Sequence, residues 1–474
     1  MLFHSVQFFI FLVIVFAVYW YILGKDYKKQ NILLILASYV FYGFWDWRFL
    51  ILIFISSLGD YIIGKQIYTA NKQKNKRLLL IASLTINLGL LAFFKYFNFF
   101  IESFTDLANL FGFKANYHSL KIILPVGISF YTFQTLSYTL DIYNKKLVPT
   151  KSLVSFLAFV SFFPQLVAGP IERASNLLPQ FNSKRIFNSK LATEGLRRIL
   201  WGLFLKVVIA DQCAETANLI FGQHDSLNGN ALFLGALCFS FQIYGDFCGY
   251  SEIAIGTARL FGFDLMRNFK FPYFSVNIVD FWRRWHISLS TWFRDYVYIP
   301  LGGSRAGAVR HIINILITFT ISGLWHGANW TFVAWGFLHA LYYAVYFVLQ
   351  LLTRNNKTTA VRREPKLRDF YKIIPNFLVV LLLWVFFRAE NISQAFQIIA
   401  EILSPSLFVE HKINDSVLFV IGLLIVIEWV QRKKEYVLDI IKLPMWLRWG
   451  IYLVLSVLVF NNWGREIEFI YFQF

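Results

Sequence analysis

Charge is what this chain has least of. Asp, Glu, Lys and Arg together supply 15% of its 474 residues, while hydrophobic residues supply 57% and the mean hydropathy is +0.55. A water-facing globule of this length needs far more polar surface, so a soluble fold is excluded and the bilayer is the solvent that fits. Cysteine is also scarce. Cys213, Cys238 and Cys248 lie in or beside apolar stretches with no CxxC or paired spacing, which argues against a disulfide framework and a zinc site. The chain has no P-loop, no GxGxxG after a strand, no GxSxG elbow and no HExxH, so nucleotide hydrolysis and redox chemistry lose their usual signatures.

What the chain has in excess is aromatic and basic. Phe, Tyr and Trp make up 19%, which suits interfacial belts and an aromatic-lined cavity. The net charge of +18 does not point to nucleic acid, because Lys and Arg cluster in short connectors between apolar runs. The first apolar run, from Val6 to Leu23, is followed by Lys25, Lys28 and Lys29, and reads as a retained span rather than a secretory signal. Basic connectors recur at Lys65–Arg77, Asn144–Lys151, Arg354–Arg368 and Arg432–Lys442, and the segments between them are short or mixed in charge. This alternation places the basic loops in the cytoplasm and both termini outside it. Spans of ~20 residues give about eleven to thirteen membrane segments. No internal repeat is visible, residues 355–363 are the nearest thing to a flexible linker, and one membrane domain over residues 1–474 is the economical reading.

The membrane rule breaks at Asn277–Arg305, where Asp280, Arg283, Arg284, Arg294 and Asp295 interrupt an aromatic, apolar stretch. Each such charge costs about 2.5–3.5 kcal/mol at the bilayer centre, so the segment faces a polar cavity or lies at the interface. On one helix, Trp282, Arg283, His286, Ser290 and Arg294 fall near a single side, and Asp280 and Arg284 can pair. Pro300 and Gly302–Gly303 then end the helix and leave backbone N–H groups free to meet an anion.

The second break is Ser322–Gly336. His326 sits in a run with no charged residue from His311 through Gln350. Histidine exchanges a proton near neutral pH, which suits general-base work, although a hydrogen-bonded core histidine is the plainer alternative. On a continuous helix Asn329 and Trp330 share its face, and His339 lies about 220° away and points to the opposite side. His4, His118, His224 and His411 fall near the amino terminus or in loops, and His311 opens a span as an interfacial residue.

At SFFPQLVAGPIER (161–173), QIYGDFCGYSEIAIGTARLFGF (242–263), DFWRRWHISLSTWFRDYVYIPLGG (280–303), GLWHGANWTFVAWG (323–336) and the terminal FIYFQF (469–474), the chain resembles the membrane-bound O-acyltransferase family, in its alginate and peptidoglycan O-acetyltransferase-like branch. A small departure is Ala340, where the branch often has glycine. The resemblance implies an all-α polytopic membrane protein, a ring of about 11–13 tilted transmembrane or re-entrant helices around a central funnel, with the core motifs within 120–345. It implies catalytic His326 and His286, with Arg283, Ser290, Asn329, Trp330 and Trp325 in substrate or donor binding. It further implies no metal or bound cofactor, and acetyl-CoA or another acyl-CoA as donor substrate. The group is passed outward to a polysaccharide, directly or through an extracytoplasmic SGNH/GDSL-type acetyltransferase partner, from the inner membrane of a bacterium. The alternative from another class is a transporter or flippase of an acyl or glycan precursor, without transfer chemistry.

Overall fold

In hydrocarbon a backbone must satisfy its own N–H and C=O groups, so apolar runs fold as helices. The computed structural model describes residues 1–113, 119–167, 169–305, 307–353, 364–410, 415–464, 467, 469 and 470. His118, His411, the linker at 355–363 and the last four residues of the terminal motif lie outside the described residues. Helices dominate the described residues, which form no strand. Among the described residues six stretches are long and apolar enough to cross a membrane: Tyr27–Thr69, Gln73–Leu110, Gly229–Leu260, Ala308–His326, Trp330–Leu352 and Leu367–Arg388. Val6–Ile22, Ser416–Gln431 and Met445–Asn461 are shorter apolar helices. The 43 residues of Tyr27–Thr69 would reach about 65 Å as one rod, roughly twice the hydrocarbon thickness. They divide into helices Tyr27–Asp46 and Leu50–Thr69 at the Trp47–Phe49 turn, where Asp46 pairs with Arg48. The protein is thus an all-helical, multi-pass membrane protein.

The chain forms two compact units, Met1–Leu196 with Ala254–Met266, and Arg197–Ile253 with Arg267–Phe474. In the first, Leu50–Thr69 packs against Gln73–Leu91 and Ile128–Tyr143, and Tyr27–Asp46 packs against Leu153–Ser161. Its buried Arg185 has no carboxylate partner in the described hydrogen bonds. Instead the guanidinium donates to Gln30 Oε1, Asn31 Oδ1 and the carbonyls of Tyr27 and Gln180, and lies over the Phe263 ring. Glu172, outside the long helices, is buried and accepts from Met266 N–H and from Asn176 Nδ2 at 2.8 Å. Burial pushes its carboxyl up to about 7.

In the second unit Ala308–His326 packs along Trp330–Leu352. Glycine makes that approach possible. A Cβ on Gly323 would lie 2.2 Å from the Phe332 carbonyl oxygen, and one on Gly336 would lie 2.3 Å from that of Phe319. A buried ion cluster stands apart from this pair. Lys206 Nζ is 2.8 Å from Asp211 and 2.9 Å from Asp246, and Asp246 accepts from Ile470 N–H at 2.7 Å.

Candidate active site

The single helix expected from Trp282 to Arg294 is not formed. The chain makes two short helices, Ile278–Trp282 and Ile287–Phe293, and turns between them. Buried Asn268 explains the break. Its carbonyl accepts from Ile287 N–H at 2.9 Å, and its side-chain oxygen accepts from Ser288 N–H and Ser288 Oγ–H. Those tertiary bonds replace helical ones, and His286 takes the left-handed conformation, with φ of 41°. This region is rarely occupied by a residue with a side chain and often marks a functional site. Asp280 and Arg284 do pair, at 2.9 Å. Gly302 and Gly303 do not leave free amides, because they donate to the carbonyls of Ile299 and Tyr298, each at 3.0 Å.

The interruption separates residues that helical spacing would align. Arg283, Ser290 and Arg294 line a cavity of about 540 Å³ together with Trp282, Tyr298 and Ser322. That volume falls within the range of small-ligand sites. A π-helical turn over Arg294–Tyr298, closed by Ile299 N–H to Arg294 C=O, carries both Arg294 and Tyr298 of that lining. His286 is not among the lining residues. It is buried against Phe247, with ring centroids 4.5 Å apart, and its two ring nitrogens have no hydrogen-bond partner among the described residues. The segment lies between the long helices, and burial pushes this imidazole down to about 3, so it is neutral at physiological pH.

His326 ends its helix. Gly327 is extended, Asn329 caps the next helix through Thr331 N–H, and Trp330 begins it. The chain reverses here, so Asn329 and Trp330 do not share a helical face with His326. Asn329 also donates to the Glu390 carbonyl at 3.0 Å, and Trp330 is 54% exposed. His326 itself is buried among Trp325, Trp335 and Phe387, with centroids 5.0–5.3 Å away, and the His286 ring lies 6.4 Å from it. Trp325 is 6.1 Å from His286. Thus His326, His286 and Trp325 come together, Arg283 and Ser290 join the cavity, and Asn329 and Trp330 are not in its lining. The same reversal corrects the placement of His339. It sits on the returning helix, its ring 4.8 Å from that of Trp335 and 5.1 Å from that of Trp282, and so shares Trp335 with His326 and does not point away from it.

His311 stands in the first turn of its span, as expected, and there it is buried, lines the cavity and bonds Tyr298 OH through Nδ1 at 2.5 Å. A signal for it was available. His311, Ile315, Thr318 and Ser322 recur at helical spacing, and all four line the cavity on the helix that ends at His326. Asn268 had no such signal, because its partners are 17 and 20 residues away in the chain.

A model of the membrane-bound O-acyltransferase family matches residues 145–388. A probable alginate O-acetylase of Pseudomonas aeruginosa is 40% identical over 394 residues, 83% of this chain and 73% of that protein. A peptidoglycan O-acetyltransferase of Helicobacter pylori is 38% identical over 409 residues, 80% of this chain and 75% of that protein. A teichoic acid D-alanyltransferase of Bacillus subtilis is 31% identical over 239 residues, 48% of this chain and 60% of that one. With the family model spanning the cavity residues and both histidines, and relatives that match most of its length, this chain belongs to the membrane-bound O-acyltransferase family and is an acyltransferase.

Proposed function

We propose that this enzyme O-acetylates an extracytoplasmic polysaccharide, taking the acetyl group from cytoplasmic acetyl-CoA and passing it outward across the inner membrane. The reading rests above all on one observation. Two buried histidines, His326 and His286, stand 6.4 Å apart beside a 540 Å³ cavity whose lining includes Arg283, Arg294 and Ser290. The arginines supply charge for the donor's phosphates, and the cavity wall reaches Ser322, on the helix that His326 ends.

In this mechanism His326 removes the proton of an acceptor hydroxyl as its oxygen attacks the thioester carbonyl. The C–O bond forms, the C–S bond breaks, and the thiolate leaves to take the proton back from the imidazolium. His286, neutral and clamped by its left-handed backbone, orients the donor, with Arg283 or Ser290 supporting the developing oxyanion. Trp325, which neighbours both imidazoles, shapes the acyl pocket. A variant of the same chemistry acylates His326 first and makes it a relay to a separate SGNH/GDSL-type partner.

The test is the O-acetyl ester content, by mass spectrometry, of envelope and secreted polymers from deletion, wild-type-complemented and His326→Ala-complemented strains. The expected result is one polymer that loses ester in the deletion and in His326→Ala at equal protein level. Full restoration by His326→Ala would remove His326 from the chemistry and bring the transporter reading forward.

A further inference from the structure

Asp60 stands midway along Leu50–Thr69, far in sequence from the acyl-transfer residues, and is 1% exposed. Three helices enclose it with neutral polar groups. Its Oδ2 accepts from Asn87 Nδ2 at 2.8 Å, and its Oδ1 lies 2.6 Å from Ser83 Oγ. Ser83 Oγ is in turn 3.2 Å from Thr139 Oγ1, which donates to the Leu136 carbonyl. The Asn87 amide oxygen accepts from Ser56 Oγ–H and Thr135 Oγ1–H. All of these side chains are buried.

The charged and titratable groups around this cluster leave Asp60 without a described cation. On the continuous stretch Gln73–Leu110, Lys74, Lys76 and Arg77 lie in the first two turns, before Ser83, and Lys95 lies about two turns beyond Asn87. Ile128–Tyr143 carries Tyr131, Tyr138 and Tyr143, of which Tyr138 is near enough to feel the Asp60 charge, and Asp141 towards its end. Leu153–Ser161 carries no ionisable side chain. Arg48 of the Trp47–Phe49 turn is paired with Asp46, and on the helix of Asp60 itself Lys65 Nζ is bonded to Tyr61 OH at 2.6 Å. Tyr39 and Tyr42 are the ionisable groups in the middle of Tyr27–Asp46, and Tyr42 donates to the Val126 carbonyl.

An ionised carboxylate at this depth without a counter-charge is expensive, and such residues in spanning helices mark functional sites by default. A proton on Oδ1 completes the cluster. Asp60 O–H then donates to Ser83, Ser83 to Thr139 and Thr139 to the backbone, so each hydroxyl in the row donates once and accepts once, while Oδ2 keeps the Asn87 bond. The mutual spacing of 2.6–3.2 Å leaves the groups bonded to one another and not held apart around an ion.

We propose that Asp60 is a proton-binding site, a neutral carboxylic acid at the middle of the first unit that exchanges its proton independently of the acyl-transfer histidines. The test treats the full-length protein in membranes with N,N′-dicyclohexylcarbodiimide, an apolar reagent that adds to protonated carboxyl groups, and locates the adduct by peptide mass spectrometry. Asp60 is expected to be labelled at neutral pH and progressively less as pH rises. Replacing choline chloride with sodium chloride at constant pH should change nothing, and Asp60→Asn should lose the adduct. Protection by sodium would overturn the proposal in favour of a metal-cation site. If the reagent fails to label Asp60, the melting temperature decides. A neutral native acid loses stability as pH rises, because the unfolded chain has already released its proton. Asp60→Asn, a neutral isostere, should therefore match wild type below about pH 4 and lack the loss of stability that wild type suffers as pH rises above it. An Asn variant that melts well below wild type at neutral pH, with the same dependence on pH, would overturn the proposal.

Discussion

Around Asp60, in the first unit, Ser56, Ser83, Asn87, Thr135 and Thr139 are bonded to one another or to backbone; around His326, in the second, several polar atoms have no hydrogen-bond partner among the described residues. These are both ring nitrogens of His286 and of His339 and the indole N–H groups of Trp282 and Trp335. A buried polar atom left unpaired costs about 1–3 kcal/mol, so a fold does not accumulate them without return. The closed cluster is consistent with holding helices together and storing a proton. The open one has donors and acceptors to offer a reacting group, which is where acyl transfer is expected to occur.

The largest test of this contrast is to remove the imidazole from the open cluster. His326→Ala should lower the acetyl-transfer rate by about 10²–10⁴-fold with the melting temperature little changed, measured as label passed from acetyl-CoA to acceptor in vesicles. Next is the frame that brings the open cluster together. Gly323→Ala puts a methyl group 2.2 Å from the Phe332 carbonyl, so the helix pair must separate. A loss of about 1–3 kcal/mol is expected, with activity falling although no substrate contact is touched, read by thermal melting and the same transfer assay.

A comparable effect on stability, but of opposite origin, should come from Glu172 in the first unit. Its carboxyl is up from an ordinary 4.5 to about 7 by burial. The native state therefore keeps a proton that the unfolded chain loses, and stability should fall as pH rises from about 4.5 to about 7, by about 3 kcal/mol in all. Glu172→Gln should flatten that part of a melting-temperature profile, and an unchanged slope would show that the carboxyl is ionised throughout. The smallest effect belongs to Trp330. It is half exposed at the helix start, so Trp330→Phe should stay within about 0.5 kcal/mol of wild type and leave acetyl transfer intact.

Much of this was legible in order but not in space. The scarcity of charge and the long apolar runs announce membrane helices, because hydrocarbon admits little else. The Asp46–Arg48 connector marks the turn between two spans, and Asp280 and Arg284 pair as their spacing requires. Helical periodicity fails wherever a distant partner takes a backbone group. Asn268 takes Ile287 and Ser288 out of the helical pattern, and that one interruption seats His286 against Phe247 and leaves Arg283 and Ser290 to the cavity. The reversal after His326 does the same for His339.

The amino-acid sequence by itself determined that this protein lives in a bilayer, that it is helical, that its family motifs name His326 and His286, and that charge is concentrated where chemistry is expected. These are properties of composition and near neighbours, which the local backbone reads directly. Only the tertiary structure decided that His326 and His286 stand 6.4 Å apart, that His311 and His339 belong to the surroundings of the site, and that Asp60 closes a polar cluster. Each of those depends on hydrogen bonds and ring contacts between residues many positions apart. Glycine spacing permits such approaches, and packing alone chooses among them.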